Sequence, residues 1–358
     1  MDIESYGGDP RIVATRAEIE RIQAGLASVG NLLGGEVELT DFLTSPLKRI
    51  GLAMELPGLQ ERIRYLLQAL DAASNEYFDG EALVAKELTD IGLISAPMIA
   101  AGLIGLANEA GMFREHAVKA TKVERSWRTA PIGLEGLGRR LSELGGSSQI
   151  LIERYGNRFV AYLPGTQTWN PIGLSNPIDF TSNLQAMKGA GLAASERGVQ
   201  LALAEAIKSA GVGASASILL VGHSQGGLIA ANIAQTDKRV KGLVTFGAPI
   251  SQLSDKIKVL TVAIQHKNDI VPKLGLNANP LAKNLVTVER VMPISTPIAM
   301  ILEAHEITNY TKTAELADKS DEFGLKRVRE LVLDRFFPPS TIGVETGEAT
   351  LYKLERVD

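Results

Sequence analysis

The sequence Gly222-His223-Ser224-Gln225-Gly226 constrains this chain more than any other feature. It matches the pattern G-x-S-x-G, follows the apolar run 217–221 and precedes a helix-compatible run at 228–234. That order, strand then sharp turn then helix, is the context of a nucleophile elbow. Glycines on both sides of the serine leave space for a strained backbone. A chain with 35 glycines can contain this pattern by chance, but its context predicts that Ser224 is a nucleophile.

Short apolar runs alternate with helical segments through the second half of the chain, and this predicts an α/β fold. Gly156-Asn157 separates the first two runs, which indicates a β-hairpin. The later runs alternate with helices, as in a mostly parallel sheet whose functional loops gather at the carboxyl ends of its strands. The loops at Pro164, Gly222, Gly247 and Gln265 should therefore share one edge. The runs occupy residues 150–155, 158–163, 217–220, 240–246 and 259–264.

A serine hydroxyl needs a base to take its proton, and that base is best held by a carboxylate. The chain contains four histidines. Three are set aside because they lie inside the elbow, in the helical N-terminal region and beside the candidate acid: His223, His116 and His266. His305 remains as the base, by elimination and because it follows all the strands proposed for the sheet.

Asp269 is the candidate acid because it ends the strand after the elbow unit. The following Ile270-Val271-Pro272 is a stiff turn that would fix the direction of its side chain. The alternative interpretation is that Asp269 only caps this turn, as aspartate often does. Glu303 and Glu306 are weaker candidates for the same role.

Two backbone or hydroxyl donors are expected to stabilise the oxyanion of a tetrahedral intermediate. One is the N–H of Gln225, which follows the nucleophile at a helix N-terminus. The other should come from the loop after the earlier strand, at 165–167, where Thr166 offers a hydroxyl. An ordinary polar loop residue is the alternative interpretation of Thr166.

These motifs together resemble the α/β-hydrolase superfamily, with spacing similar to class 3 lipases, over residues 149–336. The order Ser224, Asp269, His305 matches the order in that superfamily. The resemblance implies a lipase- or esterase-like enzyme that forms an acyl-enzyme, uses no metal or organic cofactor, and takes a small-molecule or lipid ester. Gln225 departs from the leucine common in class 3 lipases. An acyltransferase or thioesterase with the same triad, or a catalytically idle interaction protein, stays open.

Three segments are predicted: a helical N-terminal domain over 1–128, a linker over 129–146, and an α/β-hydrolase domain over 147–358. Within the last, residues 273–304 are apolar and proline-punctuated, which favours a lid or acyl-binding wall. Ordinary core plus a loop is the alternative interpretation. A lid predicts a preference for medium or long acyl chains. The apolar residues on which this rests are Phe246, Leu274, Leu276, Leu281, Met292, Ile294, Ile298, Met300 and Ile301.

Composition and the N-terminal sequence limit the expected partners, covalent cross-links and cellular location. A net charge of −4 gives no reason to expect nucleic acid as a partner, and the absence of cysteine excludes disulfides and zinc–thiolate sites. The acidic start, Met1-Asp2-Ile3-Glu4, lacks the features of a signal peptide, so cytoplasmic residence is the expectation. Export without a cleaved signal and membrane association stay open.

Residues 91–108 carry no charged side chain and reach the lower length limit of a membrane span. Glycines and Pro97 interrupt them, which favours a buried helical hairpin. The N-terminal domain is therefore interpreted as a packing or partner-binding module, with a protein or a membrane surface as its partner.

Overall fold

A computed structural model describes residues 3–9, 117–144, 149–165, 194–273, 278–292, 303–341 and 343–357, together with Ala24, Glu61, Arg64 and Gln68. Two compact units divide the chain. One comprises Met1–Ile12 with Glu87–Asp358, and the other is Val13–Lys86. The four single residues, all helical, belong to the second unit.

A nine-stranded sheet forms the first unit, in the order β1-β8-β7-β6-β5-β4-β3-β9-β2. Neighbouring strands from β4 to β8 run parallel, and the pairs nearer the two edges are antiparallel. The strands are β1 (Glu4–Gly7), β2 (Ala117–Thr129), β3 (Gln149–Tyr155), β4 (Arg158–Leu163), β5 (Ser217–His223), β6 (Val240–Phe246), β7 (Thr261–His266), β8 (Leu285–Arg290) and β9 (Thr346–Val357).

Helices cover both faces of this sheet. A buried cluster on one face joins the sheet to α2 and α3, and a second cluster on the other face joins it to α1, α5 and α6. Central strands buried on both faces need continuous apolar sequence, and the run Ile218-Leu219-Leu220-Val221 supplies it. The helices are α1 (Gly133–Ser142), α2 (Ala194–Ala210), α3 (Gln225–Thr236), α4 (Ile270–Lys273), α5 (Ile307–Asp318), α6 (Phe323–Val328) and α7 (Asp334–Phe336).

The predicted α/β architecture is confirmed: a mostly parallel central sheet lies between helices. The β3–β4 hairpin also forms where the sequence predicts it, with Gly156 in the left-handed region at φ 64°. A two-residue turn that matches the strand twist needs positive φ, which glycine adopts without steric cost.

The predicted boundary at residue 128 and the linker at 129–146 are wrong for the described residues. β1 and all but the last residue of β2 lie within 1–128, yet these are the two edge strands of the sheet. β2 was not predicted because its sequence is rich in charged residues, which an edge strand tolerates. Lys119 and Arg125 of β2 form ion pairs with Glu355 and Glu348 of β9. In the expected linker, α1 packs on the sheet through Leu134, Leu137 and Leu141.

The predicted lid at 273–304 is wrong over Leu285–Arg290, which is β8, a parallel strand beside β7. Leu285, Val286 and Val288 are buried there, although prolines on both sides made the segment look irregular. Phe246, expected in an acyl-binding wall, is fully buried in β6. Residues 274–277 and 293–302 lie outside the described residues, so the lid prediction is untested there.

The C-terminal residues form one strand, β9. β9 pairs with β3 on one side and with β2 on the other.

Among the described helices, none has the length and hydropathy needed to cross a bilayer. The apolar stretch 91–108 lies outside the described residues.

Candidate active site

Ser224 occupies a sharp turn between β5 and α3. Its backbone has φ 53° and ψ −123°, and it is the one non-glycine residue with positive φ in the described parts of the chain. Such a conformation costs on the order of 1–3 kcal/mol and persists only where the surrounding structure enforces it. Here the Ser224 N–H donates to the Phe246 carbonyl at 2.8 Å, which ties the turn to the end of β6.

Three glycines make this turn sterically feasible. A β-carbon at Gly222 would collide with the backbone of Gly226 across the turn. One at Gly226 would collide with the carbonyl oxygen of Leu163 at the end of β4, and one at Gly227 with the Ala248 side chain. The glycines of the sequence motif are therefore needed for close backbone approach.

The serine stands at the N-terminus of α3. Its carbonyl accepts from the N–H groups of Gly227 and Leu228 at 3.0 and 3.2 Å. The Gln225 N–H belongs to the first turn of α3, at the positive end of the helix dipole. Such amides, aided by the helix dipole, suit a negatively charged oxygen.

The loop after β4 passes close to the serine. A β-carbon placed on Gly165 would lie 3.1 Å from the Ser224 Cβ and 3.0 Å from the His223 Nδ1. The adjacent Thr166 lies outside the described residues, so its expected role as an oxyanion donor stays a prediction.

Asp269 is fully buried just beyond the end of β7. Its Oδ2 accepts from His305 Nδ1 and from the Tyr310 hydroxyl, both at 2.6 Å. Its Oδ1 accepts from the Val271 N–H at 2.9 Å, as a turn-capping aspartate does. The two interpretations of Asp269 therefore hold together: one oxygen caps the turn and the other contacts the histidine.

His305 lies in the turn just before α5. Its Nδ1–H is committed to Asp269, so the Nε2 is the unprotonated acceptor in the neutral ring. The side chain is 19% exposed, whereas that of Asp269 is 0% exposed. A buried carboxylate behind a histidine that reaches the surface is the arrangement a general base requires. Glu303 and Glu306, the weaker candidates, are both exposed.

His266 lies at the end of β7 and is buried. Its Nδ1 bonds to the Ala304 carbonyl at 2.7 Å and its Nε2 to the Thr313 hydroxyl at 2.8 Å. Its ring stacks on that of Tyr310, with centroids 3.9 Å apart and planes 3° apart. Burial lowers its pKa to about 4, so the ring is neutral at pH 7 and Nδ1–H donates to the carbonyl.

His223, the residue before Ser224, contacts the segment that carries His305. Its Nε2 bonds to the His305 backbone carbonyl at 2.9 Å. The two imidazole rings lie 4.8 Å apart between centroids. Burial and the neighbouring His305 lower the pKa of His223 to about 3, so this ring is also neutral.

The sequence-predicted residues Asp269 and His305 are in direct contact, and Ser224 occupies the strained turn. Sequence reasoning missed the contacts of His223 and His266, and the Tyr310 hydroxyl on Asp269. Three of the four histidines lie at strand ends or just before α5: His223, His266 and His305. Their shared placement was the sequence signal for these contacts.

Comparison with known proteins supports the α/β fold of this region. The family model described as PGAP1-like alpha/beta domain matches residues 176–311, less than half of the chain. That range includes the elbow, Asp269 and His305. Residues 176–311 resemble an α/β-hydrolase-type domain. The finer likeness to class 3 lipases receives no specific support, and a search of curated proteins finds no match.

Proposed function

We propose that this protein is a serine hydrolase that cleaves carboxylic esters through an acyl-enzyme. Ser224 is the nucleophile, His305 the general base and Asp269 the residue that orients and stabilises the histidine. The observation that carries the proposal is the 2.6 Å contact between His305 Nδ1 and Asp269 Oδ2, in a sheet whose nucleophile turn holds a strained serine. The α/β-hydrolase-type match supports the same class of reaction.

In the first step, the Ser224 Oγ attacks the ester carbonyl while its proton passes to His305 Nε2. The resulting imidazolium is stabilised by the Asp269 carboxylate, which is held by two further donors, Tyr310 and Val271. His305 then gives the proton to the departing alkoxide, which leaves as an alcohol. An acyl ester on Ser224 remains.

Water completes the cycle. His305 takes a proton from the water molecule as its oxygen attacks the acyl-enzyme carbonyl, and returns that proton to Ser224 as the carboxylic acid departs. In both steps the carbonyl oxygen becomes an anion. The Gln225 N–H is the donor that we assign to this oxyanion, with Thr166 as the second candidate. Loss of one such donor typically costs about 3 kcal/mol in the transition state.

Hydrolysis of p-nitrophenyl esters, from acetyl to long acyl chains, tests the proposal. Wild-type protein should hydrolyse at least part of the series, and Ser224→Ala should lower kcat at least about 10⁴-fold. Ser215→Ala is a matched control: this exposed serine donates to the Val212 carbonyl on the surface, and its loss should leave the rate unchanged. Equal activity in wild type and Ser224→Ala would exclude the proposed nucleophile.

The same series tests the expected acyl preference. If the undescribed parts of 273–304 form an apolar wall, the rate should rise from acetyl to medium or long chains. A maximum at acetyl would contradict that preference while leaving the serine chemistry unaffected.

A further inference from the structure

Two neutral histidines bond to consecutive carbonyls of the segment that carries the base. His266 Nδ1 lies 2.7 Å from the Ala304 oxygen, and His223 Nε2 lies 2.9 Å from the His305 oxygen. A carbonyl oxygen only accepts, so each ring donates the proton that a neutral imidazole carries. Each histidine therefore uses its single N–H on the backbone beside the base.

Both rings are anchored on the sheet. His266 ends β7, and its other nitrogen accepts from the Thr313 hydroxyl of α5, at 2.8 Å. His223 ends β5 beside Ser224, and the strand register pairs it with Phe246 of β6. The base segment is thus held from two strand ends, one of which also carries the nucleophile.

From these contacts we propose that His223 and His266 are positioning residues that fix the backbone of 304–305 and so aim the His305 ring at Ser224. The inference rests on the proposed function and adds to it. We name this pair of contacts the histidine clamp. The bond from Asp269 orients only the imidazole, whereas the clamp fixes the backbone from which that imidazole extends.

The clamp has a catalytic consequence because general-base transfer tolerates little displacement. A shift of about 1 Å in a reacting group can cost about 10²-fold in rate. The His305 segment lies far along the chain from Ser224, so no local turn fixes their separation. A direct bond from the residue adjacent to the nucleophile supplies that coupling.

Substitutions at His223 separate a donor role from a packing role. Gln places an amide N–H near the position of Nε2, so His223→Gln should recover most of the activity. His223→Leu fills similar space without a donor, and we expect kcat to fall about 10- to 100-fold with KM changed less than about twofold. If Gln and Leu variants lose activity equally, or if the Leu variant is fully active, the clamp is refuted at this position.

The matched substitutions at His266 are Asn, whose amide approximates the position of Nδ1, and Leu. His266→Asn should retain more activity than His266→Leu, by about tenfold or more in kcat. Circular dichroism and a thermal melt on each variant establish that it is folded before its rate is interpreted. Equal loss in both folded variants would assign His266 to packing only.

An NMR measurement tests the clamp without any substrate. The His305 Nδ1 proton, bonded to Asp269, should give a low-field signal that disappears in Asp269→Asn. We expect the signal in wild type and His223→Gln, and broadening by exchange in His223→Leu. A sharp signal in the Leu variant contradicts the clamp. Absence of ester hydrolysis by wild type, with the expected NMR pattern intact, contradicts the proposed function and leaves the clamp standing.

Discussion

The two halves of the candidate site are built by different means. The serine half depends on backbone sterics: Gly222 and Gly226 leave space that any β-carbon would fill, and Ser224 takes a strained φ of 53°. The acid–base half depends on side-chain hydrogen bonds between residues far apart in sequence, with Asp269 and His305 at its centre.

This difference decides how each half should fail. Steric requirements among a few neighbouring residues produce a motif that is visible in the sequence. A substitution that violates them should destabilise the fold. Hydrogen bonds made across long sequence separations leave no local pattern, and removing one donor should damage the rate more than the fold.

Asp269→Asn should give the largest loss of rate in the acid–base half. The amide can still accept from Val271, but its NH₂ group favours the wrong tautomer of His305. We expect kcat for ester hydrolysis to fall about 10³- to 10⁴-fold with KM nearly unchanged. A thermal melt close to that of wild type would show that the fall in kcat comes from the chemical step and not from unfolding. A loss below tenfold would remove Asp269 from the triad.

Gly226→Ala should damage the fold, because its β-carbon meets the carbonyl oxygens of Leu163 and Pro164. We expect the free energy of unfolding to fall by about 3 kcal/mol, the upper range for overpacking. Gly211→Ala is the matched control: it has φ 68° and open space around it, so it should cost only about 1 kcal/mol of backbone strain. Urea denaturation measures both. Equal costs would contradict the steric account of the elbow.

Stability should depend on pH through His266. Its pKa is about 4 in the folded protein and about 6.5 when unfolded. Between these values the unfolded state binds the extra proton, so stability is complete above about pH 6.5 and is lost as the pH falls towards about 4. By pH 5 the loss is about 2 kcal/mol.

Urea titrations of wild type and His266→Asn at pH 8 and pH 5 isolate this contribution, because carboxylates titrate in both proteins. The variant should lose about 2 kcal/mol less than wild type between the two values. Equal losses would show that His266 accepts a proton in the folded protein, contrary to the neutral ring inferred here.

Tyr310→Phe should have the smallest effect. It removes one of two donors on Asp269 Oδ2 and leaves His305 in place. Stability should fall by about 1.5 kcal/mol, as for a hydrogen bond to a charged group, and kcat by less than about tenfold. A loss of more than about tenfold in kcat would contradict this prediction.

The comparison of the two halves also explains what could be predicted from sequence. The central strands and the elbow were predictable because their signals are local: apolar runs, a hairpin turn and glycines at fixed spacing. Asp269 and His305 were identified indirectly, through chain order and the small number of histidines. In a chain with more histidines, elimination would have left several candidates for the general base.

The remainder was not predictable because its signals are long-range or masked by charge. β2 is a charged edge strand, and its ion pair between Arg125 and Glu348 of β9 spans more than 200 residues of sequence. β8 is flanked by prolines, so its short apolar run did not stand out. The contacts of His223, His266 and Tyr310 depend on how α5 packs against the strand ends, which no local pattern records.

Covalent labelling with a fluorophosphonate measures whether Ser224 is an activated nucleophile. Intact mass and peptide mapping should show one adduct per folded chain, located on Ser224, with labelling absent in Ser224→Ala and after denaturation. Labelling of Ser215→Ala should match that of wild type. Folded wild-type protein that stays unlabelled, or an adduct that persists in Ser224→Ala, would contradict the account.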